Sequence, residues 1–194
     1  MNMSLRHLHY FGIIIVLLCS SFDAFSQETV ARTSKISTLG LELQGYPAGI
    51  ITQLRVGFQA SPKSELIGSL GYNIARRQDF GVHDNEEGGG LGYALAYKQY
   101  FKEGLKAWFV EAQTSFWQMD IDWTDNNPSN SGSTYITVFQ PTIGFGYDFQ
   151  LKGDRLKISL KAAFGSEINI NTQGEDVGEG GISLFGASLA YNLN

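Results

Sequence analysis

The chain alternates between apolar and polar residues over eight stretches, and residues 105–123, LKAWFVEAQTSFWQMDIDW, show the pattern most clearly. The even positions of this stretch, such as Trp108, Val110 and Phe116, are mostly apolar, whereas the odd positions include Glu111 and Gln113. Successive side chains of a β-strand point to opposite faces. The stretch therefore predicts a strand with one apolar and one polar face, because at helical spacing it gives no continuous apolar stripe.

Seven further stretches divide in the same way, namely 39–45, 51–60, 65–75, 91–101, 138–151, 156–167 and 182–193. Their polar faces are rich in Gly, Ala, Ser and Gln with some charges, and their apolar faces carry Tyr, Phe and Trp near strand ends. This pattern is typical of a barrel with apolar residues toward lipid and polar residues inside. Closure is required because an open edge would leave backbone groups unpaired in hydrocarbon. The sequence predicts an all-β fold, an eight-stranded antiparallel transmembrane up-and-down β-barrel.

The predicted connections alternate in length after a short first one, GYPAG. The second, fourth and sixth, SPKS, KEG and KGDR, are tight, whereas RQDFGVHDNEEGGG, TDNNPSNSGST and NTQGEDVGEGG are long. Outer-membrane barrels have short periplasmic turns and longer external loops. We therefore expect both termini in the periplasm, the long loops outside the cell, and a flexible loop segment at the glycines of 88–90.

The first residues of the chain read as a targeting segment. MNMSLRHLHY is followed by the apolar stretch FGIIIVLLCSSF and by small residues in AFS, which predicts a cleaved signal peptide over residues 1–26. The apolar stretch is too short for a membrane-spanning helix. We expect a short periplasmic segment over 27–35 and an outer-membrane β-barrel domain over 36–194.

A lipoprotein anchored at Cys19 is the alternative for this segment. Leu18 is large where lipoprotein signals have Gly or Ala, which favours signal-peptide cleavage. Cys19 is the single cysteine, so the cleaved chain contains none and cannot rely on disulfides.

Length and charge narrow the class of protein. A chain of 194 residues suits one domain, and 23 glycines with 4 prolines favour β-structure with many turns. The formal net charge of −5 argues against a nucleic-acid-binding protein, which needs a basic face. We expect a monomer whose partners are outer-membrane lipid, lipopolysaccharide and the barrel-assembly machinery, with no nucleic acid.

Several charged residues fall on the predicted inward face. They are Glu42, Arg55, Lys98, Glu111, Asp148, Lys157 and Lys161. Side chains nearly fill the interior of an eight-stranded barrel, so each buried charge needs a partner. The sequence predicts a structural network of salt bridges that plugs the interior. A charge gate in a narrow channel is the alternative.

Enzymatic barrels that modify lipids need a nucleophile and a base, commonly Ser and His. After cleavage the chain has one histidine, His83, which we interpret as a solvated loop residue. Ser129, Ser131 and Ser133 could approach it only through loop folding. We predict no enzyme, no catalytic residues, no cofactor and no metal. A lipid-modifying outer-membrane enzyme stays open as an alternative function.

The predicted long loops are acidic. Ten carboxylates lie at this end of the barrel, at Asp79, Asp84, Glu86, Glu87, Asp120, Asp122, Asp125, Glu175, Asp176 and Glu179. One interpretation is a solvated acidic rim. The other is a rim that binds Ca²⁺ or Mg²⁺ and so bridges to lipopolysaccharide phosphates, although the spacing matches no calcium-loop signature.

The chain resembles the small eight-stranded outer-membrane barrels of the OmpA/OmpX kind, in particular the outer membrane protein beta-barrel families of Bacteroidota. The resemblance covers about residues 36–194 and is carried by YKQYF, KEG and WFVEA in succession, by PTIGFGYDF, and by a last strand ending SLAYNLN. It implies a structural, membrane-stabilising or loop-presenting (adhesive) role. A soluble ligand-binding barrel is the rival fold, and it would require the face of Tyr93, Leu95 and Tyr97 to be buried.

Overall fold

The structure is a computed structural model that describes residues 36–78, 81–151, 153 and 155–193. The predicted signal peptide, the segment 27–35, Cys19, Asp79 and Asn194 lie outside these residues. No helix among the described residues is long and apolar enough to cross a membrane.

Eight strands form a closed antiparallel barrel in which each strand pairs with its neighbours in sequence and the last pairs with the first. The strands are β1 Ile36–Tyr46, β2 Gly49–Ser61, β3 Ser64–Gln78, β4 Asn85–Tyr100, β5 Ala107–Asn126, β6 Ser129–Leu151, β7 Leu156–Gln173 and β8 Gly180–Asn192. The predicted up-and-down eight-stranded barrel is confirmed.

The two ends of the barrel differ in their connections. The turn end carries the connections 62–63, 101–106 and 152–155 together with the start of β1 and the end of β8. The loop end carries the connections 47–48, 79–84, 127–128 and 174–179.

The apolar face of every strand points outward. Leu70 and Leu95 are 67% and 68% exposed, whereas Glu111 on the opposite face is 2% exposed. Because Tyr93 and Leu95 lie on the outer surface, the soluble ligand-binding barrel is wrong: its core face would be in water. The outer surface instead carries a continuous apolar band, far more than a soluble surface normally exposes.

The predicted long fifth loop is wrong. β5 and β6 continue as a hairpin to the turn at 127–128, with Trp123 opposite Gly132 and Asp125 opposite Asn130. The polar residues of TDNNPSNSGST look like a loop in sequence, but the hairpin pairs their backbone groups while most of their side chains face water.

The glycines at 88–90 are likewise part of β4 and not a flexible loop. A β-carbon on Gly90 would lie 2.7 Å from the Cα of Met119 on β5. Contacts under 3.0 Å are essentially never found for real β-carbons. The glycine is therefore needed for the close approach of β4 and β5.

β5 reverses its polarity part-way along its length. From Trp108 to Phe116 the outward residues are apolar except Thr114, and the inward ones are polar except Phe109. Beyond Phe116, Gln118, Asp120 and Asp122 point outward and are exposed, while the inward residues are buried and apolar. The barrel therefore has a section with an apolar surface toward the turn end and a section with a polar surface at the loop end.

The wall of the barrel is lower at β1 and β2 than elsewhere. The β1–β2 turn occupies 47–48, and β1 pairs with β8 only as far as Gly45 opposite Phe185. β8 continues beyond this point to Gly180, and β3 continues to Gln78. We call the resulting gap in the wall, above the β1–β2 turn and between β8 and β3, the notch.

Candidate functional site

Charged side chains meet inside the barrel and form one connected network toward the turn end, called here the charged layer. Its members are Glu42, Glu65, Glu111, Asp148, Arg55, Lys98, Lys157 and Lys161. All of these side chains are buried. In the part of the chain that the structure describes, the layer holds four carboxylates and four cations, so it is formally neutral.

Glu111 lies between three of these cations. Its Oε2 is 2.9 Å from Nη2 of Arg55 and 3.9 Å from Nζ of Lys98, and its Oε1 accepts a hydrogen bond from Lys161. Arg55 and Lys161 also contact Glu42, the latter at 2.8 Å. Glu42 and Glu111 therefore both pair with Arg55 and Lys161, and each of these four charges has more than one neighbour of opposite sign.

Asp148 organises the other side of the charged layer. Its Oδ2 lies 3.4 Å from both Lys98 and Lys157, and it accepts a hydrogen bond of 2.7 Å from the hydroxyl of Tyr100. Lys157 donates to the same hydroxyl at 3.0 Å and pairs with Glu65 at 3.2 Å. The phenol thus links an acid and a base, and the network continues without a break.

The structure places all seven charged residues named from the sequence in the charged layer. Glu65 and Tyr100 also belong to the layer and were not predicted from the sequence. Glu65 has the same parity as the inward Ser69 on β3, and Tyr100 the same parity as Lys98 on β4, so alternation could have identified both.

A second part of the interior, toward the loop end, is apolar and is called here the apolar layer. Its members are Tyr46, Ile51, Ala75, Trp117, Met119, Ile121, Trp123, Ile136, Val138, Ala163, Val177, Ile182 and Leu184. The indole N–H of Trp117 donates to Gln140 at 2.9 Å, and that of Trp123 donates to Thr134 at 3.2 Å. The alternation of the strands predicts a polar interior throughout, and at the loop end that prediction is wrong.

Arg77 holds a smaller set of buried charges beside the apolar layer. It pairs with Glu86 at 3.2 Å and with Glu167 at 3.0 Å, and we call these three residues the Arg77 cluster. Glu86, which is 1% exposed, also accepts backbone N–H bonds from Val82 at 2.7 Å and from Gly178 at 3.0 Å. Glu86 is therefore not part of a solvated rim; it joins the connection 79–84 to the connection 174–179.

His83 is buried, and its interpretation as a solvated loop residue is wrong. Its ring stacks on Trp123 with centroids 4.0 Å apart, Nδ1 lies 2.9 Å from Oδ2 of Asp125, and Nε2 lies 3.1 Å from the carbonyl oxygen of Asp176. Both nitrogens face acceptors, which suits the imidazolium. Burial lowers the pKa of His83, but the hydrogen bond and charge of Asp125 and the charge of Glu86 outweigh it and raise that pKa above its usual value.

Side chains at the loop end tie the connections to one another. The backbone N–H of Asp84 donates to Asp125 at 3.1 Å, and that of Asn126 donates to Asp84 at 2.8 Å. The described residues contain no group of three or more His, Cys, Asp or Glu side chains that could hold a metal ion. Asp84 and Asp125 act as hydrogen-bond acceptors between segments.

Solved structures of three proteins are similar to this barrel. The N-terminal β-barrel domain of Pseudomonas aeruginosa OprF is 14% identical and covers 82% of this chain and 100% of its own, with a TM-score of 0.45. Neisserial surface protein A is 8% identical, with 81% and 94% covered and a TM-score of 0.49. Ail, the attachment invasion locus protein of Yersinia pestis, is 14% identical, with 81% and 97% covered and a TM-score of 0.39.

No family model matches the chain, and no curated protein matches it. At these identities and TM-scores the solved structures carry no argument about function. The fold itself rests on the closed ring of eight paired strands.

Proposed function

We propose that this chain is an outer-membrane β-barrel protein with a structural, membrane-stabilising or loop-presenting role. The observation that carries the proposal is the apolar band on the outer surface. On β5 it runs from Trp108 to Phe116, close to the roughly 9–11 residues that a tilted strand needs to cross hydrocarbon. Aromatic contacts between Trp108, Phe145 and Tyr147 at the turn-end border suit an aromatic girdle.

The interior supports a barrel that does not conduct. Toward the turn end the charged layer fills the interior with paired side chains. Toward the loop end the apolar layer offers water few hydrogen-bond partners, because the polar groups of Tyr46, Trp117 and Trp123 are already bonded to protein side chains. An ion would have to separate buried ion pairs and then cross an apolar section. Support for a plugged interior therefore comes from two layers of different chemistry.

The loop-end section supports a role in presenting structure to the outside. The β5–β6 hairpin extends beyond the apolar band, and its outward face carries Gln118, Asp120 and Asp122. Its tip is tied to neighbouring segments through Asp84 and Asp125. A rigid, acidic hairpin in water is a suitable surface for contacts with other molecules.

Fractionation with gel electrophoresis tests the membrane assignment. We expect the protein in the outer-membrane fraction, with a folded form that migrates differently from the heated form. Recovery in the soluble periplasmic fraction would contradict the proposal.

Planar-bilayer recording tests the non-conducting interior against the channel. We expect no unitary conductance from the refolded protein, and none from Glu111→Gln. Steady conductance that rises in Glu111→Gln would favour a charge gate instead.

The lipid-modifying enzyme is the alternative that concerns His83. Its ring nitrogens contact Asp125 and Asp176, and Ser129, Ser131 and Ser133 are exposed on β6. We therefore propose no enzymatic role. Turnover of phospholipid or lipid A by the refolded protein that His83→Asn abolishes would reverse this conclusion.

A further inference from the structure

The notch opens into a cleft of about 280 Å³ at the loop-end border of the apolar band. Its lining comprises Tyr46, Pro47, Ala48, Arg77, Glu167 and 178–183. The β1–β2 turn forms the floor, the connection 174–179 and the start of β8 form the roof, and Arg77 and Glu167 lie at the back. The cleft is thus open to the outside at the low part of the wall and ends at buried charges.

Glu167, at the back of the cleft, shares its cationic partner with a second carboxylate. Among the described residues, the Arg77 cluster holds two buried carboxylates, Glu86 and Glu167, and one guanidinium. Glu86 has further partners in the backbone N–H groups of Val82 and Gly178 and lies near the imidazole of His83, whereas Glu167 pairs with Arg77 alone among the cations of the described residues. Gln140 donates to Oε1 of Glu167 at 3.5 Å, which is a long and neutral contact. A cation entering the cleft would add a positive charge beside Glu167 and a partner for this oxygen.

A free strand edge runs along the roof of the cleft. In the described part of the chain, residues 180–184 of β8 pair with β7 on one side and have no strand partner on the other. Natural proteins usually protect such edges with lysine, proline or a bulge. Here the edge begins with Gly180 and Gly181, and a β-carbon on Gly181 would meet nothing within 4 Å. Internal packing therefore does not require a glycine at 181, and the edge is sterically open.

We propose that the cleft binds an extended peptide segment of a partner protein, which pairs with the free edge of β8 and places a lysine or arginine side chain against Glu167. The edge supplies backbone hydrogen bonds, as in other cases of strand addition. The carboxylate of Glu167, which shares Arg77 with Glu86, selects the cationic side chain, and Glu179 on the roof adds negative charge. We assign the segment to a partner protein because the edge of β8 suits an extended backbone and the carboxylates of Glu167 and Glu179 complement a cationic side chain.

Peptide binding to the refolded barrel in detergent micelles tests this proposal. The probe is a capped five-residue peptide, Thr-Val-Lys-Val-Thr, and its matched control carries norleucine in place of lysine. We expect the norleucine peptide to bind at least about tenfold more weakly, since one partner of a desolvated charge pair is lost. Amide NMR signals of 180–184 should shift with the lysine peptide. No shift at millimolar peptide would overturn the proposal.

Two variants distinguish recognition of the peptide by the cleft carboxylate from general attraction to the acidic surface. Glu167→Gln should lose about tenfold in affinity for the lysine peptide, whereas Glu87→Gln should change it less than about twofold. Glu87 is a fair control because it lies on the neighbouring surface, exposed and 3.6 Å from Arg76. Equal loss in both variants would mean non-specific attraction and would overturn the site.

A lysine peptide methylated on alternate backbone nitrogens tests the edge in the wild-type protein, so it does not depend on whether Glu167→Gln folds. We expect methylation on the pairing side to abolish binding. If methylation has no effect, or if ethylammonium binds as tightly as the peptide, the cleft is a small-cation site and strand addition is wrong.

A dimer of the free protein in analytical ultracentrifugation would assign the edge to a second copy of the chain instead. The binding experiments are carried out in detergent micelles, so their results do not depend on the fractionation experiment that tests the proposed function.

Discussion

The two sections of β5 use one backbone geometry with opposite chemistry. From Trp108 to Phe116 the strand is mostly apolar outside and mostly polar inside, and from Trp117 to Trp123 it is polar outside and apolar inside. The hydrogen-bonded pairing with β4 and β6 continues through the reversal without a shift in register. The strand therefore forms in both sections, and the surroundings decide which face carries apolar side chains.

The comparison shows that this barrel is held together in two ways. Where lipid covers the outside, burying apolar side chains inside would gain little, and paired charges can fill the interior. Where water covers the outside, the interior must supply the hydrophobic burial that a soluble barrel needs. The reversal at Phe116 and Trp117 marks the expected border between lipid and water on this strand.

The largest expected effect on stability comes from a substitution that disrupts the apolar layer. Trp117→Ala removes a fully buried indole and its hydrogen bond to Gln140, so we expect a loss of about 3–5 kcal/mol in the free energy of unfolding. Urea unfolding in lipid vesicles measures it. Trp108→Ala, at a half-exposed position in the band, is the matched control and should cost clearly less. Equal costs would mean that the loop-end interior is not a packed core.

The next effect tests the outer face of the same strand. Val110→Arg places a charge in the apolar band and should cost about 2–4 kcal/mol in vesicles. Asp120→Arg, ten residues along the same face, should stay within about 0.5 kcal/mol because that position faces water. If both variants insert and unfold like the wild type, the border between the two sections is misplaced.

A smaller effect is expected inside the charged layer. Glu111→Gln keeps the side-chain size but leaves Arg55, Lys98 and Lys161 with one carboxylate fewer. Breaking a fully buried pair costs about 3–5 kcal/mol. Since the partners also share Glu42 and Asp148, we expect about 1–3 kcal/mol. An unchanged urea midpoint would show that the layer contributes nothing to stability.

The smallest expected effect is a dependence of the stability of the loop end on pH. The pKa of His83 is raised in the folded barrel. The contribution of the protonated ring to the stability of the loop end is therefore complete below the unfolded-state pKa of about 6.5, and it is lost as the pH rises through the folded-state pKa. The hydrogen-exchange rate of the Gly178 amide, corrected for the intrinsic effect of pH, should therefore rise once the pH exceeds the folded-state pKa of His83. His83→Gln should remove the dependence. A slower corrected exchange at high pH would contradict the sign.

The faces of the strands were predictable because alternation is a local property. Leu70, Val110 and Leu160 point outward as their parity requires, and all are exposed. The inward charges follow from the same rule, which would also have given Glu65.

The loop end was harder to predict because its contacts are distant in sequence. Arg77 and Glu86 lie in segments whose glycines and polar residues look like loops, and the strand signal was cut short there. His83 meets Asp125 and Asp176 only through the closed ring. Pairing of strands beyond the lipid depends on tertiary structure and leaves little trace in local composition.

The shared partners of the charged layer have a consequence for the evolution of the chain. Glu42 and Glu111 both contact Arg55 and Lys161, so replacing any one of the four leaves an unmatched charge in a closed space. Substitutions that are accepted one at a time at the surface would here have to be compensated. We expect homologues to vary at these positions in coupled acid and base changes, so that total charge is inherited more faithfully than any single residue.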